Sequence, residues 1–109
     1  MTVEYDKLIR DKIPDIIKRN NKIPMTHIAS EKEYNEKLNQ KLIEEVNEFV
    51  KDQNIGELVD ILEVIHAIAE NINISKEKLE NLRKEKAAER GSFKNKLILD
   101  EVKDVSQKI

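Results

Sequence analysis

The scarcity of turn residues constrains the fold of this chain most strongly. Its 109 residues include only two glycines and two prolines, and its aromatic residues are two tyrosines and two phenylalanines. An all-β sandwich or barrel needs turn residues at about every 8–12 positions and many β-branched or aromatic residues between them. Most of the abundant residue types here are good helix formers. We therefore predict an all-α fold, and the length predicts a single domain spanning residues 1–109.

The charge balance excludes some classes of partner. Twenty basic and 22 acidic residues leave a formal net charge of −2, which supplies no electrostatic footprint for nucleic acid. No apolar run is long enough to span a membrane, and the first residues lack the apolar stretch of a signal peptide. The absence of cysteine excludes a disulfide framework and a thiolate metal site. We expect a cytoplasmic protein without a nucleic-acid or membrane partner.

The N-terminal part predicts a short helix and then an extended connection. Asp11 is the expected N-cap of this helix, and Pro14 falls in the first turn, where proline is tolerated. Residues 22–29 contain Pro24 and are expected to be extended.

Two longer helices follow, joined by a short break. Ser30 and Glu33 have the spacing of a capping box, which predicts the start of a helix that runs to about Asp52. Residues 53–56 form the expected break. A second, more apolar helix is predicted from Glu57 to about Asn71.

The last third of the chain predicts one more helix. It spans residues 76–90 and ends at Gly91, the residue type expected after a helix C-terminus. The tail after Phe93 is compatible with a strand, a helix or an extended arm. Tyr5 and Phe93 are expected in the core, with stacking on a nucleotide base as the alternative.

Several acids fall where a surface helix would place apolar residues. On a helical wheel, Glu45 lies at the rim of the apolar arc of its helix, and Glu48 and Asp52 continue the same stripe. On the next helix, Glu57 lies inside the apolar arc and Asp60 at its rim. A short turn makes the two helices antiparallel neighbours, so these acids are expected at one end of a helical hairpin.

Carboxylates gathered in this way repel one another unless something offsets their charge. Protonation, a lysine or arginine, or a divalent cation would each do so, and Mg²⁺ prefers oxygen ligands of this kind. A different interpretation is a solvated surface, with Lys41 and Glu45 paired one turn apart and Glu57 stabilised by the helix dipole. For the four acids Glu45, Glu48, Glu57 and Asp60 together, we favour metal binding.

Three blocks of this sequence resemble one protein family. Residues 42–49 (LIEEVNEF) and 56–62 (GELVDIL) look like the ExxE…ExxD signature of the MazG-like all-α nucleoside triphosphate pyrophosphohydrolases. Residues 5–14 (YDKLIRDKIP) resemble the "KLVRDKIP" start of a small single-domain branch, which is often labelled phosphoribosyl-ATP pyrophosphohydrolase-like. Residues 86–93 (KAAERGSF) resemble the "KAxERGGF" close of that branch, with Ser92 in place of the second glycine.

The resemblance implies a helical bundle, built around an antiparallel hairpin, that hydrolyses a nucleoside triphosphate to the monophosphate and pyrophosphate. It implies Mg²⁺, with Mn²⁺ as a substitute, held by the same four acids. Glu44 would support these ligands from behind, and Glu45 or Glu48 would accept a proton from the attacking water. Only eight residues separate Glu48 from Glu57, fewer than in many family members, so this chain departs from the family in a shorter loop near the nucleotide.

Basic residues near the two outer blocks are the expected partners of the substrate phosphates, since a tetra-anionic substrate needs cations. These are Lys7, Arg10, Lys86 and Arg90. For Arg10, a structural ion pair with Asp11 is an equal alternative, and Lys12 is expected to be a surface residue. His27 and His66 lack ligand or triad spacing, so surface or structural roles are expected.

Three functional hypotheses follow. The first is a Mg²⁺-dependent nucleoside triphosphate pyrophosphohydrolase, with house-cleaning of non-canonical nucleotides as its purpose. The second is a phosphoribosyl-ATP pyrophosphohydrolase, and the third a non-catalytic helical interaction or regulatory module. All four signature acids are present, which favours an enzyme. The family also commonly forms dimers or tetramers, so a homodimer or homotetramer is expected.

Overall fold

The computed structural model describes residues 1–107, and within them it is all-helical and without a strand. The four α-helices are α1 (Ile13–Arg19), α2 (Glu31–Asp52), α3 (Ile55–Asn71) and α4 (Lys76–Arg90), followed by a short 3₁₀ turn at Val105–Gln107. The all-α prediction is confirmed. The chain divides into two units, Met1–Lys76 and a second that begins at Glu77, and each is described by itself.

Helices α2 and α3 pack against each other as an antiparallel hairpin. Ser30 caps α2 by accepting a hydrogen bond from the Glu33 amide at 3.2 Å, as the capping box predicts. The chain reverses at Gln53, which adopts the left-handed conformation. At the far end of the hairpin, the Asn71 side chain of α3 donates a hydrogen bond to that of Asn35 on α2.

Helix α3 begins two residues earlier than its predicted start at Glu57. The side chain of Asn54 accepts a hydrogen bond from the Gly56 amide at 2.7 Å, so Asn54 is the N-cap and Gly56 belongs to the first turn. A Cβ atom at Gly56 would lie 3.1 Å from the Asn54 Oδ1 atom, which makes glycine the residue that fits there best. The break between α2 and α3 is therefore shorter than the four residues expected.

The predicted N-cap of α1 is also wrong by one residue. Lys12, not Asp11, is the N-cap, and no side chain caps the helix. The Lys12 carbonyl accepts a hydrogen bond from the Ile16 amide at 3.2 Å. The first helical residue is therefore Ile13, immediately before Pro14. Residues 22–29 are non-helical, as predicted.

The buried core of the first unit is small. Only Leu38, Val64 and Ala69 are buried apolar residues among those described, and Glu45 is buried with them. Many apolar side chains of the hairpin are exposed instead, including Ile43, Val50, Ile55, Val59, Leu62 and Ile72. The apolar arc of α2 on a helical wheel runs from Leu38 through Phe49 and Val46 to Ile43. Of these, Leu38 at one end of the arc is buried, whereas Val46 and Ile43 are exposed, and Glu45 at the rim of the arc is buried as Leu38 is.

The second unit consists of most of α4 and the segment after it. Gly91 ends α4 as predicted, with φ near +88°, and its amide donates to the Ala87 carbonyl at 2.8 Å. Helix α4 has no buried residue. Tyr5, in the first unit, and Phe93 are both exposed, which contradicts their expected place in a core. In the described part of the chain, no helix has the length and apolar character needed to cross a membrane.

Candidate metal centre

Five acids gather where α2 ends and α3 begins, and we call them the acidic cluster: Glu45, Glu48, Asp52, Glu57 and Asp60. They form two overlapping groups. In the first, carboxylate oxygens of Glu45, Glu57 and Asp60 all lie within 4.8 Å of one another. In the second, the same holds for Glu48, Asp52 and Glu57. The hairpin therefore brings the four predicted ligands together in these two groups, and both groups share Glu57.

Asp52 is the member of the second group that the prediction of ligands omits. It lies on the last turn of α2, seven residues after Glu45 and four after Glu48, so its side chain projects from the same stripe of the helix. That spacing is visible in the sequence. Asp52 is among the acids expected at this end of the hairpin, with a solvated surface position as the alternative, because nothing local distinguishes a stripe that faces a partner helix from one that faces water.

Glu45 is the most enclosed acid of the cluster. Only 8% of the residue is exposed. Its carboxylate lies 3.2 Å from the Lys41 Nζ atom one turn earlier on α2, and the Lys41 side chain is itself largely covered. A buried carboxylate needs such a partner. The predicted pairing of Lys41 with Glu45 is present, but it is not the solvated surface pair of the alternative interpretation.

Glu44, the residue predicted to support the ligands, lies beside this pair. Its carboxylate is 3.9 Å from the same Lys41 Nζ atom. Lys41 thus lies close to both neighbouring glutamates.

Asp60 is held by a residue from the N-terminal segment. The Arg10 guanidinium donates a hydrogen bond to the Asp60 carboxylate at 2.7 Å, across 50 positions of sequence. The equal alternative, a pair between Arg10 and Asp11, is not the contact formed. Arg10 was predicted to bind substrate phosphate, and the structure gives it a carboxylate of the cluster as its partner.

Unlike Glu45 and Asp60, Glu57 forms no ion pair with a lysine or arginine among the described residues, and its pKa is raised. Partial burial raises the pKa of its carboxyl group, and the negative charges of the other four acids raise that pKa further. The N-terminus of α3 acts in the opposite direction, since a helix dipole stabilises a carboxylate in the first turn. Burial and repulsion both act to raise this pKa.

The donor chemistry of the first group fits a hard divalent cation. Three carboxylates supply only oxygen, the ligand that Mg²⁺ and Mn²⁺ accept. Oxygens around a Mg²⁺ ion at about 2.1 Å are separated by about 3–4 Å, so ligand atoms already within 4.8 Å need little movement to converge. A bound cation would also relieve the repulsion that raises the pKa of Glu57.

The other predicted phosphate-binding residues are Lys7, Lys86 and Arg90. The Lys7 Nζ atom lies 5.4 Å from the centre of the Tyr5 ring, in a cation–π contact. Lys86 and Arg90 are exposed on α4, in the second unit. Their role toward a substrate stays a prediction.

One predicted surface residue has a defined partner. The His27 Nε2 atom is 2.9 Å from a carboxylate oxygen of Glu33, which fastens the extended segment to the first turn of α2. This agrees with a structural role for His27. It also explains why Glu33 completes only half of a capping box, because its side chain turns to the histidine.

Comparisons of the chain with protein-family models, with curated proteins and with solved structures find no match.

Proposed function

We propose that this protein is a Mg²⁺-dependent nucleoside triphosphate pyrophosphohydrolase that yields a nucleoside monophosphate and pyrophosphate. One observation carries the proposal: carboxylate oxygens of Glu45, Glu57 and Asp60 lie within 4.8 Å of one another at the turn of a helical hairpin. The sequence resemblance to the MazG-like family supports the same chemistry. That resemblance also supports a MazG-like arrangement of the helices, with Mn²⁺ as a substitute metal.

The roles of the acids follow from their surroundings. Mg²⁺, when bound, activates a water for attack on the α-phosphorus and neutralises charge on the departing pyrophosphate. Glu45, Glu57 and Asp60 would hold the ion from the interior of the hairpin. Glu48 is exposed and is therefore accessible to solvent, so we assign to it the acceptance of the proton from the attacking water. The buried Glu45, already paired with Lys41, then remains a ligand.

The substrate brings negative charge that the acids alone would repel. Arg10 lies directly at the cluster, since its guanidinium donates a hydrogen bond to the Asp60 carboxylate. Arginine suits this role because its planar guanidinium can bind two phosphate oxygens at once. Lys7 belongs to the same non-helical N-terminal segment and is proposed to contribute a second positive charge.

Self-association is a further part of the proposal. Apolar residues on both helices of the hairpin are exposed, with Ile43, Val50 and Ile55 each more than 60% exposed. Burial of such side chains stabilises a protein by about 25 cal/mol per Å² of apolar surface. A homodimer or homotetramer would cover them and complete a helical bundle. The molar mass in solution, measured by light scattering, would be a multiple of 12.7 kDa, the mass of one chain.

The function is tested by products. We would incubate the protein and Mg²⁺ with a panel of canonical, deoxy- and modified nucleoside triphosphates and with phosphoribosyl-ATP. The proposal expects a monophosphate and pyrophosphate from at least one nucleoside triphosphate, and preference for a modified one would identify a house-cleaning enzyme. Turnover must fall in Glu48→Gln and Asp60→Asn, but not in the matched control Glu80→Gln.

Other outcomes would contradict the proposal. Release of a diphosphate and phosphate would assign a different bond to the enzyme. Hydrolysis of phosphoribosyl-ATP alone would establish the second hypothesis, and no turnover of any compound would favour the interaction module.

A further inference from the structure

The N-terminal segment reaches the acidic cluster through one arginine. Arg10 precedes α1 in a stretch without helical structure, and its guanidinium lies 2.7 Å from the Asp60 carboxylate on α3. Both side chains remain about half exposed, at 53% for Arg10 and 41% for Asp60. Asp60 is also a member of the group of three acids whose oxygens lie within 4.8 Å of one another. The Asp60 carboxylate is therefore both the partner of the Arg10 guanidinium and a proposed ligand of the metal ion.

The two internal cations of the cluster differ in how firmly they are held. Lys41 shares α2 with its partner Glu45, and the two side chains are only 20% and 10% exposed. Arg10 reaches Asp60 from a different part of the chain, and about half of its side chain is accessible to water. Exposed ion pairs are weak, because water and salt compensate the loss of the partner. Arg10 is thus the cation that an incoming metal ion would displace at the smaller cost.

We propose that Arg10 and a divalent metal ion are alternative partners of Asp60, so that metal binding releases the Arg10 guanidinium. This inference rests on the proposed metal-dependent function and adds a means of regulation to the same site. Two cations on one carboxylate repel each other, and the repulsion is strong at the short distances involved. The released guanidinium is then free to bind phosphate oxygens of the substrate.

The release has a structural consequence for the N-terminal segment. Polar contacts from two residues of the hairpin hold residues 6–10. Asp60 accepts a hydrogen bond from the Arg10 guanidinium, and the Lys37 ammonium donates one to the Asp6 carbonyl at 2.8 Å and lies 3.3 Å from the Asp6 carboxylate. Loss of the first leaves the segment attached through Lys37. Backbone amides around Arg10 then exchange with solvent more readily when a metal ion is bound, since local opening governs amide exchange.

The first test measures metal affinity without nucleotide, so that substrate binding plays no part. Mn²⁺ would be titrated at fixed ionic strength into the full-length wild type and the Arg10→Gln variant, with free Mn²⁺ followed by electron paramagnetic resonance. Arg10→Gln removes the competing cation, and Mn²⁺ affinity should rise by roughly 5–10-fold, within the usual range of coupling between two ligands. Lys12→Gln makes the same change of charge two residues away and should leave the affinity within about twofold.

The sign of the change decides the proposal. If Asp60 bound the metal ion with one oxygen and kept Arg10 on the other, Arg10 would support the site, and its removal would weaken Mn²⁺ binding. Weaker or unchanged binding in Arg10→Gln therefore overturns the proposal, as does an equal gain in Lys12→Gln. Arg10 is exposed, so the variant should fold, and circular dichroism would verify its helix content.

A second measurement separates this inference from the proposed function. Hydrogen exchange followed by mass spectrometry should show faster exchange of residues 7–12 of the wild type when Mg²⁺ is added. In Asp60→Asn, the segment should exchange fast with or without Mg²⁺. Slower or unchanged exchange in a wild type that binds Mn²⁺ and hydrolyses nucleotide overturns the inference and leaves the function intact. A wild type that binds no Mn²⁺ overturns both.

Discussion

Two glutamates, Glu57 at the start of α3 and Glu80 on α4, have pKa values shifted in opposite directions by their surroundings. Burial and the charges of the surrounding acids raise the pKa of Glu57 above its ordinary value. A hydrogen bond from Arg83, three residues later on α4, lowers the pKa of Glu80. Glu80 illustrates how a charged helix is made soluble, by pairing one turn apart. Glu57 illustrates the opposite arrangement, a carboxylate held among other acids with no ion-pair partner among the described residues.

The largest expected difference between the acidic cluster and helix α4 is the effect of a substitution on the rate of nucleotide hydrolysis. Asp60→Asn and Glu57→Gln each remove a proposed metal ligand, and we expect nucleotide hydrolysis to fall by more than about 100-fold, beyond the loss typical of residues that only support a ligand. Glu80→Gln should change the rate by less than about twofold. Initial rates of pyrophosphate release at saturating Mg²⁺ check both. Equal losses in all three variants would mean that the acidic cluster has no special role.

The next effect concerns the packing that holds the cluster in place. Leu38 is 2% exposed and lies on α2. Leu38→Ala should lower the free energy of unfolding by about 2–3 kcal/mol, near the lower end for buried leucines because few buried neighbours surround it. Leu82→Ala on α4 is the matched control, since Leu82 is 47% exposed, and should cost less than about 1 kcal/mol. Urea unfolding followed by circular dichroism measures both. Similar losses would show that the hairpin has no core of its own.

A smaller effect tests the pKa of Glu57 through stability. Because the pKa is raised in the folded protein, ionisation of Glu57 destabilises the fold, and stability falls as pH rises from about 4.5 through the raised value. Glu57→Gln should therefore raise the melting temperature at pH 7 without divalent cations, and the gain should vanish below pH 4. A lower melting temperature at pH 7 would show that the helix dipole dominates instead.

Addition of Mg²⁺ should act on the same repulsion. It should raise the melting temperature of the wild type, since a ligand that binds only the folded state stabilises it. The rise should be smaller in Asp60→Asn. Differential scanning calorimetry with and without Mg²⁺ gives the comparison, and equal shifts in the two proteins would count against a metal site that includes Asp60.

The smallest effect belongs to α4. The lowered pKa of Glu80 means that its pairing with Arg83 stabilises the helix above about pH 4.5 and that this contribution is lost as the pH falls through the lowered value. Glu80→Gln should lower the melting temperature only slightly at pH 7 and not at all in strong acid. A loss as large as that of Leu38→Ala would mean that α4 depends on this pair far more than its exposure suggests.

Local signals in the sequence account well for the helices and poorly for the contacts between them. The limits of α2 and the end of α4 were predictable because Ser30 and Gly91 act on their immediate neighbours. The predicted start of α3 was two residues late. The side chain of Asn54 caps the helix by accepting a hydrogen bond from the Gly56 amide, and the sequence pattern alone does not distinguish Asn54 from an ordinary polar residue of a loop. That hydrogen bond gives no periodic signal.

The candidate site shows the same division. The spacing of Glu45, Glu57 and Asp60 was enough to expect them at one end of a hairpin, and the structure confirms that placement. The contact between Arg10 and Asp60 joins residues 50 positions apart, and no local pattern encodes it. The burial of Glu45 could not be foreseen from a helical wheel, because a wheel takes the apolar arc as the inner face.

Metal binding by the acidic cluster is the central claim, and equilibrium titration with Mn²⁺ tests it most directly. Wild type, Asp60→Asn and Glu80→Gln would be compared at the same protein concentration, pH and ionic strength, with free Mn²⁺ counted by electron paramagnetic resonance. We predict at least one Mn²⁺ ion per chain in the wild type and in Glu80→Gln, and an affinity lower by at least about 10-fold in Asp60→Asn. The same affinity in all three proteins, or no binding in the wild type, would contradict the account.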